Sequence, residues 1–123
     1  MAAKFGFEEL EVWQKAVEFA RKIIDLTENM NTGRRRFRLL DQVETSAASI
    51  AMNIAEGKGR YSKKEYMQFL YIARGSLYET VTLLNIFQRN KWIDKICEDN
   101  LRSGAVEIGK MLSGLIFAIR KSL

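Results

Sequence analysis

Histidine and proline are missing from this sequence, and cysteine occurs once, at Cys97. The absence of histidine removes the commonest general base and the commonest neutral metal ligand. One cysteine can neither close a zinc site nor form an intrachain disulfide, which fits a reducing compartment. We therefore expect a protein that is not an enzyme, with no catalytic residues, no metal site and no cofactor.

Long apolar runs are absent as well. No segment approaches the roughly 18–20 apolar residues that cross a bilayer, and the first residues lack the apolar stretch of a signal peptide. Apolar residues still make up 47% of the chain and charged residues 28%, which is an ordinary composition for a folded protein. These features predict a cytoplasmic protein without a membrane partner.

The lack of proline permits long helices, because proline removes a backbone donor and clashes with the preceding helical turn. Apolar residues recur at helical spacing in four segments, at about residues 7–29, 36–57, 62–90 and 94–122. Four such helices with short turns predict an all-α fold, an antiparallel up-down-up-down four-helix bundle forming one domain over residues 1–123. The four predicted core stripes are Leu10, Trp13, Val17, Ala20, Ile24 and Thr27; Leu40, Val43, Ala47, Ile50 and Ile54; Tyr66, Phe69, Ala73, Ser76, Thr80, Leu84 and Phe87; and Leu101, Ala105, Ile108, Leu112, Leu115 and Ile119.

Helix ends are marked at three places. Ser62 and Glu65 form the S-x-x-E pattern of a capping box, which predicts a helix start. Asp94 is a favourable N-cap for the fourth helix. Cys97 then falls in the first turn, where a thiol can be acidified, although an incidental role is favoured for a single cysteine without a partner. Gly57 has the residue type and position of a C-cap for the second helix.

More apolar residues are present than four narrow stripes require. One interpretation is a core face wider than two positions in seven. The other is a second apolar face that is buried against another copy of the chain. The surplus residues are Phe19, Leu26, Met67, Tyr71, Tyr78, Met111, Ile116 and Phe117.

The positive charge is concentrated in the middle of the chain. Residues 34–74 contain nine basic and four acidic side chains, which accounts for the whole net charge of +5. Such asymmetry indicates a polyanionic partner. The second helix separates two basic clusters, which we therefore expect at opposite ends of the bundle. We predict nucleic-acid contacts for Arg34, Arg35, Arg36, Arg38, Lys58, Arg60, Lys63 and Lys64.

These basic turns also have simpler interpretations. The arginines before the second helix oppose its dipole, so helix stability does not explain them. Arginine is well suited to binding phosphate. The simpler interpretations are a solvated turn, or salt bridges between subunits to acids such as Glu28 or Asp94. Tyr61 lies in the second cluster and could stack on a base. Packing of Tyr61 beneath its own loop is the favoured alternative.

Three polar residues are predicted to have structural roles. Asn53 and Glu56 flank the core stripe of the second helix, and Glu79 follows Ser76 by one turn. A carboxylate near a helix C-terminus is unfavourable, so Glu56 should have a partner such as Arg60. Hydrogen bonding is favoured over acid–base chemistry by two carboxylates, because no nucleophile, metal set or phosphate loop accompanies them.

Several segments together resemble one protein family. Residues 49–60, SIAMNIAEGKGR, resemble the S-I-x-x-N-I-A-E-G-x-x-R signature of four-helix-bundle proteins associated with intervening sequences in bacterial large-subunit ribosomal RNA genes. Residues 10–16, LEVWQKA, are similar to the L-x-V-W-Q-x-A start of that family. Residues 62–65 and 69–79 resemble its S-x-x-E and F-L-x-I-A-x-G-S-x-x-E run. The resemblance covers roughly residues 7–93.

The resemblance implies partners that composition alone does not. The family is similar to the accessory variability determinant protein of diversity-generating retroelements, a basic pentamer that partners a reverse transcriptase and binds nucleic acid. It therefore implies a homopentamer, RNA or DNA binding and, by analogy, a protein partner such as a reverse transcriptase. The chain departs from the family at residues 31–39, where arginines replace the proline and acid of an F-P-x-x-E-x-x-G-L segment.

Two functions follow from these observations. The leading hypothesis is a non-enzymatic, homo-oligomeric adaptor that binds RNA or DNA by charge, with little base reading. The alternative is a structural or protein-interaction module without a nucleic-acid role, in which the apolar surface and the basic turns serve assembly.

Overall fold

The computed structural model describes residues 3–30 and 37–123, and over these ranges it contains helices and no strand. A short 3-10 turn precedes four α-helices. Each of α1 and α3 packs against both α2 and α4, which is the neighbour pattern of a four-helix bundle. The all-α prediction is confirmed. The bounds are Gly6–Glu9 for the 3-10 turn, Glu11–Glu28 for α1, Phe37–Lys58 for α2, Lys63–Arg89 for α3 and Lys95–Lys121 for α4.

None of the helices in the described ranges combines the length and apolar character needed to cross a membrane.

The predicted helix starts and ends agree with the structure to within one or two residues, except at the first helix. There, Gly6–Glu9 form the 3-10 turn and Leu10 is extended, with φ −74° and ψ 123°, so that α1 begins only at Glu11. The ring of Phe7 packs edge-on against Trp13, with centroids 5.3 Å apart. This contact turns the segment back onto α1, and a continuous helix from residue 7 is therefore wrong.

The predicted caps are present at α3 and α4. The Ser62 hydroxyl accepts a hydrogen bond from the Glu65 amide at 3.1 Å, and the Asp94 carboxylate accepts one from the Cys97 amide at 2.7 Å. Gly57 is not a C-cap, because α2 continues to Lys58.

Gly57 instead permits the close approach of α2 and α3. It is buried, and a Cβ added there would lie 2.7 Å from the Cβ of Phe69 and 3.1 Å from a ring carbon of Tyr66. Two hydroxyl pairs bridge the same helices: Ser46 with Thr80 at 2.7 Å, and Ser49 with Ser76 at 2.9 Å. We call these two pairs the hydroxyl seam. Small side chains on α2 make both features possible.

The core stripe of α2 is confirmed, since all five predicted residues are buried. The stripe of α1 is partly wrong, because Val17 and Ile24 are exposed. The helix turns a neighbouring face inward, and Phe19 packs beside Gly104 of α4. The residues that α1 buries are Val12, Ala16, Phe19, Ala20, Ile23 and Thr27.

The stripes of α3 and α4 are correct but too narrow. Eight of their thirteen predicted residues are buried and five are half-buried, and the structure adds buried apolar residues beside them. The five half-buried residues are Tyr66, Phe69, Ser76, Leu101 and Leu115. The additional buried apolar residues are Leu70, Leu77, Leu83 and Ile116.

The surplus apolar residues divide between the two interpretations. Phe19 and Ile116 are buried in the core, which supports the broad-core interpretation for them. Tyr78 and Phe117 remain exposed, as a second apolar face requires. Four further residues are half-buried against the core: Leu26, Met67, Tyr71 and Met111.

Candidate nucleic-acid interface

The basic turn between α2 and α3 projects from one end of the bundle. Lys58 ends α2, and Lys63 and Lys64 begin α3, so the fold itself brings these cations within one short turn. All three side chains are exposed. Tyr61 at the tip is fully exposed, so the expectation that its ring packs beneath the loop is wrong.

Neighbouring side chains neutralise only part of this charge. Arg60 pairs with Glu56 at 2.8 Å and lies over the ring of Phe69, 4.6 Å from its centroid. The Lys63 ammonium donates to the backbone carbonyl of Ser122 at 3.2 Å. Among the described residues, no carboxylate lies within 4.0 Å of Lys64. The turn therefore stays strongly positive.

The end of α4 adds two cations that the sequence analysis did not assign to this site. Because Lys63 contacts Ser122, Arg120 and Lys121 in the last turn of α4 lie beside the α2–α3 turn. Residues 57–64 and 117–123 contain no acidic side chain. The antiparallel order of four helices was the signal that could have located Arg120 and Lys121, since it returns the end of α4 to this end of the bundle.

The first basic cluster does not join the second. Arg38 is exposed in the first turn of α2, and the 22 residues of that helix span about 33 Å. The structure therefore places Arg38 and Lys58 at opposite ends of the bundle. Arg34, Arg35 and Arg36 lie outside the described residues.

The three polar residues have different surroundings. The Asn53 amide donates to the backbone carbonyl of Ser49 at 2.8 Å and to its hydroxyl at 2.9 Å, within α2. Glu56 has Arg60 as its partner, which offsets the unfavourable position of a carboxylate near a helix C-terminus. Glu79 is exposed and lines a polar groove between α2 and α3 that also contains Arg38.

One buried acid was missed by sequence reasoning. Glu98 is 1% exposed, and its carboxylate accepts hydrogen bonds from Asn85 at 2.7 Å and from Lys95 at 3.1 Å. The bond from Asn85, followed by that from Lys95, holds the pKa of Glu98 below its usual range despite desolvation. Nothing in the local sequence indicates that a glutamate here faces α3, so its partner could not be predicted.

Cys97 does not have the acidic thiol that its position suggested. Burial, followed by the nearby charge of Asp94, raises the pKa of the thiol. Burial is the larger of the two causes, so the position in the first turn of α4 does not make this thiol acidic.

Two comparisons find proteins that are similar to this chain. A family model described as 23S rRNA-intervening sequence protein matches residues 8–114. Among solved structures, a protein with unknown function from the S23 ribosomal protein family of Bacteroides thetaiotaomicron is similar to this chain, with a TM-score of 0.80 and 28% identity over 85% of this chain and 97% of that one. A search of curated proteins finds no match.

Proposed function

The chain belongs to the 23S rRNA-intervening sequence protein family, and from this we propose that it is a non-enzymatic, homo-oligomeric adaptor that binds RNA or DNA through its basic turns. The phosphates would be neutralised by arginine and lysine with little reading of bases. A reverse transcriptase is the protein partner suggested by the resemblance to the accessory variability determinant protein. The residues proposed to contact nucleic acid are Arg34, Arg35, Arg36, Arg38, Lys58, Arg60, Lys63 and Lys64.

The observation that carries the proposal is the composition of one end of the bundle. The α2–α3 turn and the end of α4 bring six cations together, and only Arg60 among them has a carboxylate within 4.0 Å in the described part of the chain. Arginine and lysine side chains of this kind bind phosphate by releasing condensed counterions. In an oligomer, symmetry would repeat this cationic surface once for each copy.

A titration of fluorescent RNA and DNA at increasing salt tests nucleic-acid binding. We expect Lys64→Glu to weaken binding severalfold and to reduce the slope of log K against log salt by about 1, the contribution of one phosphate contact on a duplex. The substitution should not unfold α3, because an acid is favourable in a first helical turn.

Lys22→Glu is the matched control, because Lys22 is an exposed lysine of α1 that lies outside both clusters. It changes the net charge by the same amount and should leave the slope unchanged. Absence of binding by the unmodified protein at about 50 mM salt, where phosphate contacts are strong, would end the proposal.

The surface proposed for self-assembly is the outward face of α3. Ile72 is 51% exposed there, and Ile86 is exposed on the same face. Gly75 lies between them, and a Cβ added to it would meet nothing within 4 Å. Because glycine inside a helix costs about 1 kcal/mol relative to alanine and packing within the chain does not require it here, the face suits close approach by another copy.

The mass of the purified particle tests assembly. We expect a multiple of the 14.2 kDa chain mass, with five copies as the proposed number, and a shift to the monomer mass in Ile72→Glu. Ile96→Glu is the control, since Ile96 is 72% exposed at the start of α4, away from this face. A monomeric unmodified protein would contradict the assembly proposal.

A further inference from the structure

A groove runs along the outside of the bundle between α3 and α4. Its volume is about 490 Å³, within the roughly 300–1,000 Å³ typical of small-ligand sites. Tyr78 forms one wall and is 57% exposed. Thr82 lies beside Tyr78, and α4 contributes Arg102, Val106, Lys110 and Ser113.

Alternating cations and aromatic rings extend the groove towards the end of α4. The Arg74 guanidinium lies 4.9 Å from the ring centroid of Tyr71 and 5.9 Å from that of Tyr78, and donates to the Ser113 hydroxyl at 3.3 Å. Arg120 also contacts Tyr71, 5.9 Å from its ring centroid, and donates to its hydroxyl. These contacts hold the arginines against ring faces.

Phe117 continues this arrangement. Its ring is 61% exposed, and the Lys121 ammonium lies 5.5 Å from the ring centroid. Lys121 also belongs to the basic end that contains the α2–α3 turn. The groove and the basic end therefore form one continuous cationic surface.

The groove has no compensating acid among the described residues that form it. Its cations are Arg74, Arg102, Lys110, Arg120 and Lys121. Among the carboxylates of these helices, Glu98 is buried against Asn85 and acts on Arg102 from beneath the surface. Glu107 pairs with Lys15 of α1 at 2.9 Å, and Asp99 pairs with Lys95 at 3.2 Å. Glu79 lines the separate groove between α2 and α3, and Glu65 bonds to Ser62 at the start of α3. The net charge of the groove surface therefore favours an occupant that carries negative charge.

We propose that this groove binds single-stranded nucleic acid, with bases stacked on Tyr78 and Phe117 and phosphates contacted by the flanking arginines and lysines. The inference rests on the proposed function and deepens it. Cationic turns alone neutralise any nucleic-acid backbone, whereas exposed rings between cations favour unpaired bases, whose faces are available for stacking. A two-fold interface between copies would instead place cations opposite cations, and a head-to-tail contact in a ring of copies is distinguished by the particle mass below.

Anisotropy titrations with three probes of equal length test the groove. The probes are a thymidine oligonucleotide of about 16 nucleotides, within the site sizes of single-strand binders, a duplex, and an oligonucleotide with abasic sugars. We expect the thymidine strand to bind at least about tenfold more tightly than the abasic strand, because stacking adds to the phosphate contacts.

The double substitution Tyr78→Ala with Phe117→Ala should abolish this preference. It should weaken binding of the thymidine strand by at least about tenfold and leave the duplex and the abasic strand nearly unchanged, because it removes no charge. Ile96→Ala, which shortens an apolar side chain that is 72% exposed elsewhere on α4, is the control and should change none of the three. Thermal melts establish that each variant is folded.

A third substitution reports on the phosphate contacts. Arg120→Gln should reduce the salt slope for the single strand by about 0.7, the contribution of one phosphate on a single strand. The slope should be unaffected by the loss of the two rings. An unchanged slope in Arg120→Gln would contradict the proposed phosphate contact.

The outcomes separate this inference from the proposed function. If the thymidine and abasic strands bind equally well and the ring substitutions change neither, the groove inference fails while the basic turns remain a binding site. If none of the three probes binds at low salt, the proposed function fails as well. A change in particle mass on removing the two rings, without loss of base preference, would show that the groove is an interface between copies and would overturn the inference.

Discussion

Alanine substitutions at two glycines should have opposite effects on stability. At Gly57, a Cβ would lie 2.7 Å from the Cβ of Phe69 and 3.2 Å from the backbone oxygen of Tyr66. Neither atom is the end of a flexible side chain, so α2 and α3 must separate. Overpacking of this kind costs about 1–3 kcal/mol, whereas the higher helix propensity of alanine returns up to about 1 kcal/mol. We expect Gly57→Ala to lower the free energy of unfolding by about 1–2 kcal/mol.

Gly114→Ala is the matched comparison. A Cβ added to Gly114 meets nothing within 4 Å, so the propensity gain remains, and stability should rise by about 0.4–1 kcal/mol. Thermal unfolding at a fixed protein concentration measures both, since assembly makes the melting temperature depend on concentration. We expect a decrease of about 4–8 °C for Gly57→Ala and an increase of about 2–4 °C for Gly114→Ala.

The direction in which Gly57→Ala changes the melting temperature tests whether α2 and α3 are in close contact at Gly57. If Gly57→Ala raised the melting temperature as Gly114→Ala does, the two helices would not approach as closely as the structure places them. Loss of stability in both variants would show that Gly114 also has a close neighbour, outside the single chain.

Three further predictions concern buried polar groups and the thiol. The lowered pKa of Glu98 means that the folded state favours the charged carboxylate. Its contribution to stability is therefore present above the ordinary pKa of 4.5 and is lost as pH falls below that value. Between neutral and acidic pH, the urea midpoint of Glu98→Gln should fall less than that of the unmodified protein. Thr80→Val removes the hydroxyl bonded to Ser46 and should lower stability in urea by about 1 kcal/mol, whereas Thr82→Val, at an exposed position, should change it by less than about 0.5 kcal/mol. Because the pKa of the Cys97 thiol lies above its ordinary value of 9.0, its alkylation rate should continue to rise beyond pH 9, and a plateau below that pH would refute the assignment.

The helices were predictable because the period of the apolar residues is a local property, but the inward face of α1 was not. On α2, apolar residues occupy a narrow stripe, and that stripe is buried. On α1, Val17 and Ile24 are seven residues apart and Phe19 and Ile23 are four apart, which are both helical spacings, and only the second pair is buried. Spacing gives the period of a helix, while its rotation depends on which neighbours it meets.

In the candidate site, too, the local part could be predicted from the sequence and the contacts between helices could not. Lys58, Lys63 and Lys64 are close in the sequence and remain close in the structure. Arg120 joins them through the packing of α4, and the partners of Arg74 come from two helices. Contacts between residues far apart in the sequence depend on the rotation and relative height of helices, which composition and spacing do not specify.

The hydroxyl seam restricts how α2 and α3 can slide along each other. Its two pairs fix Ser46 opposite Thr80 and Ser49 opposite Ser76, and a shift of either helix by one turn, about 5.4 Å, would separate the partners and move Gly57 away from Phe69. Misaligned arrangements of this antiparallel pair are therefore disfavoured by polar atoms as well as by shape. One consequence is that the distance the connection must span between Lys58 and Lys63 is set by polar pairs inside the bundle, so that substitutions in the loop should leave the alignment of α2 and α3 unchanged.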